Sequence, residues 1–140
     1  MKQYPKSLKF KKNHKVNNSF LFLREQKNFF PLYGNFGLCA LSPGKLNFKQ
    51  IEACRKSLRR DMKKQSKVSL RVFTYHSITK KSVGIRMGKG KGNHFMWVGP
   101  VRPGRVICEI DSMHQFLAKR ALRTATYKLP VKAKAIRLKY

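Results

Sequence analysis

Ile85-Arg86-Met87-Gly88-Lys89-Gly90-Lys91-Gly92-Asn93 runs straight into His94-Phe95-Met96-Trp97-Val98, and the element formed by this second stretch decides the fold. A helix there would make a phosphate-binding βαβ unit with its N-terminus facing the glycines. The apolar and aromatic run 94–98 reads as a strand instead, so the glycines form a loop between strands. Spacing agrees. Gly84 and Gly88 enclose three residues where a Walker A loop has four, and Gly90, not Ser or Thr, follows Lys89. G-x-G-x-x-G fails at Asn93, although Glu109 and Asp111 lie about 20 residues on, where that fingerprint places an acid. No nucleotide cofactor is expected, and no other cofactor is implied.

The loop has a chemistry of its own. Glycine tolerates positive φ and carries no Cβ, so this backbone can lie close against another molecule. The interleaved Arg86, Lys89 and Lys91 say that the molecule is anionic. A loop needing only flexibility would be rich in uncharged Gly and Ser.

Charge balance over the 140 residues points the same way: 33 Lys and Arg stand against 5 Asp and Glu, a net charge of +28. A hydrophobic share of 41% gives one compact domain a real core. Such a domain repels itself unless a polyanion neutralises it, and nucleic acid is the polyanion expected. A membrane-surface protein would gather its cations on one amphipathic helix; here they run from end to end. Five carboxylates make a catalytic acid pair a poor prospect. Cys39, Cys54 and Cys108 form no C-x-x-C pair and read as buried thiols. His14, His76, His94 and His114 have no metal-ligand spacing, so neither metal nor catalytic residues are assigned. No segment reaches the roughly 18–20 apolar residues of a membrane span.

Residues 1–18 hold Lys2, Lys6, Lys9, Lys11, Lys12, His14 and Lys15 without an acid, an arm extended until a partner orders it. An import presequence would carry arginine; this arm has lysine alone. Residues 19–33 are rich in aromatics, with Phe20, Phe22, Phe29, Phe30 and Tyr33, and read as packing on the domain's own core. An interface with a neighbouring protein, or stacking on unpaired bases, is the competing reading.

Residues 35–41 form a strand closed by Ser42-Pro43-Gly44. Asn47 and Gln50 have the spacing of a capping box, opening a helix whose Ile51, Cys54, Leu58 and Met62 line one face. Lys49, Lys56, Arg59, Arg60, Lys63 and Lys64 fall on the other, broken only by Glu52 and Asp61. Like charges so close destabilise a free helix, so that face is assigned to phosphate. A strand over 68–73 comes next, then a polar connection through Thr79-Lys80-Lys81 and a short strand ending at the loop. Strands over 95–98 and 105–110 are joined by Pro100-Val101-Arg102-Pro103-Gly104. Ser112 and Gln115 suggest a second capping box and a helix to about Lys128, facing inward with Met113, Leu117, Ala121 and Ala125, and with Leu122 and Leu129 beside them. Pro130 stops it, and 131–140 is a basic strand or tail. The fold class is α+β, a mainly antiparallel sheet packed by two helices. Residues 1–33 form arm plus aromatic segment, and 34–140 a single domain.

In order along the chain, these stretches resemble the large-subunit ribosomal protein family L sixteen, whose archaeal and eukaryotic cousins share the fold. The resemblance rests on 9–15 (KFKKNHK), 36–38 (FGL), 44–46 (GKL), 50–55 (QIEACR), 71–73 (RVF), 86–93 (RMGKGKGN), Trp97-Val98, Pro103-Gly104, 109–111 (EID) and 128–130 (KLP). It implies a hammerhead-like α+β fold, no catalytic activity, and a late-assembling place on large-subunit rRNA. The partners implied are that rRNA, tRNA in the aminoacyl site with the peptidyl site as a further candidate, and neighbouring ribosomal proteins. It places Arg86, Gly88, Lys89, Gly90, Lys91, Gly92 and Asn93 facing rRNA and tRNA, and threads the lysine arm into rRNA helices. Arg86 can also contact phosphate with two donors, which lysine cannot.

Ser77 and Ser82 stand where the family usually has prolines, implying a less stiff approach to the loop. The start at the family's own beginning, the high Lys, Asn and Phe usage and the aromatic 19–33 segment point to a mitochondrion-encoded protein; a bacterial cytoplasm or plastid is the alternative. Two other classes stay open on residues alone: a nucleic-acid-acting enzyme using Glu109 and Asp111 to hold Mg²⁺, and a sequence-blind nucleic-acid-binding cation.

Overall fold

A computed structural model describes residues 5–6, 8–27, 29–63 and 66–138; Lys2 and Lys64 lie outside the described residues. In chain order the elements are α1 (Asn18–Phe22), β1 (Phe36–Ala40), β2 (Gly44–Asn47), α2 (Phe48–Asp61), β3 (Lys67–Leu70), β4 (His76–Lys80), β5 (Asn93–Val101), β6 (Val106–Asp111), α3 (Gln115–Thr126) and β7 (Ala133–Arg137). The chain is α+β and every strand pairing is antiparallel.

The strands divide into two sheets, however, not one: β3-β6-β1-β7 and β2-β5-β4. The reason lies at two crossings. β5 and β6 are consecutive but unpaired, because β5 lies between β2 and β4 while β6 lies between β1 and β3. Residues 71–75 then carry the chain from the first sheet to the second, passing tightly over β5. A Cβ on Gly99 would sit 2.8 Å from the Phe73 carbonyl oxygen and 2.9 Å from Val72 Cγ1, closer than side chains tolerate. Gly99 is therefore what lets the crossing pack.

α2 starts where the sequence says it should. Asn47 Oδ1 accepts from the amides of Lys49 and Gln50 at 2.6 and 3.4 Å, and Gln50 Oε1 accepts from the Asn47 amide at 2.9 Å. Its Cys54, Leu58 and Met62 join Phe36, Leu38, Cys108, Ile110 and the α3 stripe in one core cluster. Ile51, one turn earlier, joins Ala40, Leu46, Val72, Val101 and Ile107 in a second. One helix thus faces both sheets. Full burial of Ile51, Leu58 and Met62 contributes roughly 1.5–3 kcal/mol each.

α3 departs from expectation. His114, not Ser112, is its N-cap, with no side-chain cap bond; Ser112 Oγ merely accepts from the His114 amide at 3.2 Å. The buried stripe is Ala118, Ala121, Leu122 and Ala125, while Met113 is 99% and Leu117 39% exposed. Small alanines beside Leu122 let α3 approach α2 and β1 closely, and Met113 and Leu117 are turned out. In the second sheet, His76–Lys80 is a strand rather than a connection, because β5 supplies hydrogen-bonding partners to these polar residues. The short strand expected just before the glycines does not form. β2 occupies residues expected to form only a turn and a helix cap.

Residues 19–33 touch the domain, but all five of their rings are exposed, short of the expected packing on the core. Leu21 is buried, the Arg102 guanidinium lies 3.3 Å from the Phe20 ring centroid, and the Glu25 amide donates to the Pro103 carbonyl at 2.8 Å. Further on, the amides of Leu32 and Tyr33 both donate to Glu109 Oε2, at 3.0 and 2.6 Å. Phe22, Phe30 and Tyr33 remain exposed.

Candidate nucleic-acid interface

The 81–92 segment is the loop of the β4–β5 hairpin, and residues 82–90 are exposed throughout. Gly84, Gly88 and Gly90 have φ of +84°, +96° and +81°, and Lys89 between the last two has φ of 54°. Three consecutive residues, 88–90, are thus left-handed, a path that side-chain-bearing residues resist by about 1 kcal/mol or more each. A Cβ at Gly84, Gly88 or Gly90 would meet nothing within 4 Å. At these three the requirement is the backbone angle, and the space beside them is open for a partner. Gly92 is different: a Cβ there would meet the Lys80 carbonyl at 2.7 Å, where the two strands converge.

The arm comes to the loop. Lys12 Nζ donates to the Lys91 carbonyl at 3.2 Å, Lys91 Nζ donates to the Asn13 carbonyl, and Lys81 Nζ donates to the Gly88 carbonyl. Three ammonium groups are held on backbone carbonyls there, and none of these bonds involves a carboxylate. Arg86 and Lys89 have no hydrogen-bond or ion-pair partner among the described residues. Lys6, Lys9, Lys11, His14 and Lys15 are exposed, and residues 8–16 have no helix or strand. At the end of β4 away from the loop, burial pulls the His76 pKa below its ordinary value, and the charges of Lys45 and Lys91 pull it further.

On α2, Lys49, Lys56, Arg59, Arg60 and Lys63 are exposed as expected. The two acids on that helix turn out to be engaged within it. Glu52 is gripped by both forks of Arg55, at 2.9 and 2.5 Å, and that bond holds its carboxyl below the usual range. Asp61 lies 3.3 Å from Arg60 Nε. No hydrogen bond or ion pair joins this face to the loop or arm among the described residues.

The acids do not converge on a reaction centre. Glu25 pairs with Arg105 at 3.6 Å and Glu109 with Arg71 at 2.5 Å. Glu109 is fully buried and accepts from two backbone amides besides, while Asp111 is exposed. A metal bridge between them has no free oxygen geometry on the Glu109 side. No cluster of three or more His, Cys, Asp or Glu able to hold a metal ion occurs among the described residues. Cys39, Cys54 and Cys108 are free buried thiols, and burial pushes that of Cys39 up. No helix among the described residues is long and apolar enough to cross a membrane.

Sequence reasoning missed the Arg71–Glu109 pair, and only Glu109's place on a strand hinted at burial. It also left unassigned a second group of cations, Lys119 and Arg123 on α3 with Lys134 and Arg137 on β7, which the fold brings together.

The model of the family described as ribosomal protein L16p/L10e matches residues 5–136. The large ribosomal subunit protein uL16 of Wigglesworthia glossinidia brevipalpis is 42% identical over 127 residues, which is 91% of this chain and 90% of that protein. The class is therefore that of ribosomal proteins, structural and not enzymatic. Within that class, this chain belongs to the ribosomal protein L16p/L10e family.

Proposed function

We propose that the chain is a structural constituent of the large ribosomal subunit, binds the subunit's rRNA, and helps shape the aminoacyl-tRNA site near the peptidyl-transferase centre. The observation that carries this reading is the junction of arm and loop. There Lys12 and Lys81 donate to loop carbonyls and Lys91 to the arm's Asn13 carbonyl, with no acid in these bonds, an arrangement that converging phosphates would stabilise. Arg86, Gly88, Lys89, Gly90, Lys91, Gly92 and Asn93 face rRNA and tRNA. Lys2, Lys6, Lys9, Lys11, Lys12, His14 and Lys15 thread the arm into RNA, and Lys49, Lys56, Arg59, Arg60, Lys63 and Lys64 present a third face. Residues 1–33 act as arm and anchor, and 34–140 as the rRNA-binding domain. The exposed rings of 19–33 suit a neighbouring ribosomal protein, and the subunit takes up the chain late in assembly.

Lysine, asparagine and phenylalanine usage supports a mitochondrial ribosome; recovery of the chain from plastid or bacterial ribosomes instead would overturn that placement. The test of function is reconstitution of subunits with the Lys89→Ala/Lys91→Ala protein. Incorporation is expected to hold while aminoacyl-tRNA binding weakens roughly tenfold, the loss of about one charged contact. Unchanged tRNA binding would remove the tRNA role and leave the rRNA role standing.

A further inference from the structure

The cations that the loop, arm and α2 leave out have a place of their own. α3 and β7 enclose a cleft of about 410 Å³, within the roughly 300–1,000 Å³ of small-ligand sites. Lys119 and Arg123 line it from one side, Lys134 and Arg137 from the other, and no carboxylate lines it. Arg137 is held in position: Nη1 donates to Gln115 Oε1 at 2.9 Å, and its guanidinium carbon lies 5.9 Å from the centroid of the Phe36 ring. The side chains of Lys119, Arg123 and Lys134 have no hydrogen-bond or ion-pair partner among the described residues. Tyr127, which caps α3, also lines the cleft and is 76% exposed.

We propose that this cleft receives one unpaired nucleotide of an RNA strand, its base against Tyr127 and its phosphate among Lys119, Arg123 and Arg137. The inference rests on the rRNA-binding reading and adds a site to it. A nucleotide combines a flat ring with a doubly accepting anion, and the cleft offers an exposed ring beside a fan of donors. A base within a duplex cannot reach Tyr127, so the site selects single strands. An acidic peptide would meet the cations but leave the tyrosine ring without a partner.

The test uses the full chain, with amide chemical shifts followed by NMR during addition of a five-nucleotide single-stranded RNA. Parallel additions use a duplex of the same length and a glutamate hexapeptide. Shifts at residues 119–137 with the single strand are expected, with affinity at the cleft falling about tenfold to a hundredfold in Arg123→Glu. In Tyr127→Ala the cleft is expected to stop distinguishing single strand from duplex. Three outcomes overturn the site alone. RNA shifting only the loop, arm and α2 removes the cleft while leaving the rRNA reading intact. Equal response to the duplex removes base insertion, and a stronger response to the hexapeptide makes the cleft a peptide site. No response anywhere to either RNA would instead remove the rRNA reading and the cleft with it.

Discussion

Glu109 is where a single substitution should be felt most. Its carboxylate is fully buried, takes the Arg71 guanidinium on one oxygen and accepts the Leu32 and Tyr33 amides on the other. Glu109→Gln keeps the shape but removes the charge, and its new NH₂ must face either the guanidinium or the two backbone donors. Removing one partner of a buried pair costs roughly 3–5 kcal/mol. Arg71 retains 12% exposure of its side chain and Gln keeps one acceptor, so about 3 kcal/mol is expected. In a chain of this length that lowers Tm by about 10 °C. Urea unfolding at fixed salt measures it. The double variant Glu109→Leu/Arg71→Met should recover much of the loss, because no charge is then stranded. Hydrogen exchange should still show the Leu32 and Tyr33 amides opened in the double variant, since leucine offers them no acceptor. A loss under about 1 kcal/mol, or a double variant equal to the sum of the singles, would refute the reasoning.

Two further outcomes rest on local geometry. Asn47→Ala should destabilise by about 1 kcal/mol, whereas Ser112→Ala should change stability by less than about 0.5 kcal/mol because Ser112 does not cap α3; chemical denaturation of the pair separates them. His76 should titrate below the ordinary histidine value of about 6.5, because burial and then the charges of Lys45 and Lys91 disfavour its cation. With the folded pKa depressed, its share of stability is present above about pH 6.5 and is lost as pH falls through the folded value. Lys91→Ala should raise that value in an NMR titration, and a pKa at or above 6.5 in the unaltered protein would contradict the account.

The legible parts of the chain were those where one signal dominates. In α2, apolar residues at helical spacing on a lysine-rich background could only face inward, and Asn47 with Gln50 marked the start. In α3 the same method placed Ala121, Leu122 and Ala125 inward correctly but erred in the first turns. Alanine is a weak hydrophobic signal, so Met113 and Leu117 outweighed Ala118 in the pattern although packing favours the smaller residue. β2 has one buried apolar residue, Leu46, and β4 is mostly polar, so both exist through their pairing with β5, a long-range cause that no local window contains. The loop could be read because its glycines and cations are contiguous. The α3–β7 cleft could not, since its cations are split between two elements that only the fold brings together. Nor could the pairing of the acids, which leaves the cationic faces without local opposition.

The most direct measurement of the central claim is a sucrose gradient of native lysate at moderate and then high salt, with this chain followed by mass spectrometry. An integral subunit protein, whose arm and loop are enclosed by RNA, is expected to stay with the large subunit after loosely held cationic proteins have washed away. Release with rising salt, and spread over all nucleic acid, would show attraction by counterion release alone and contradict the account.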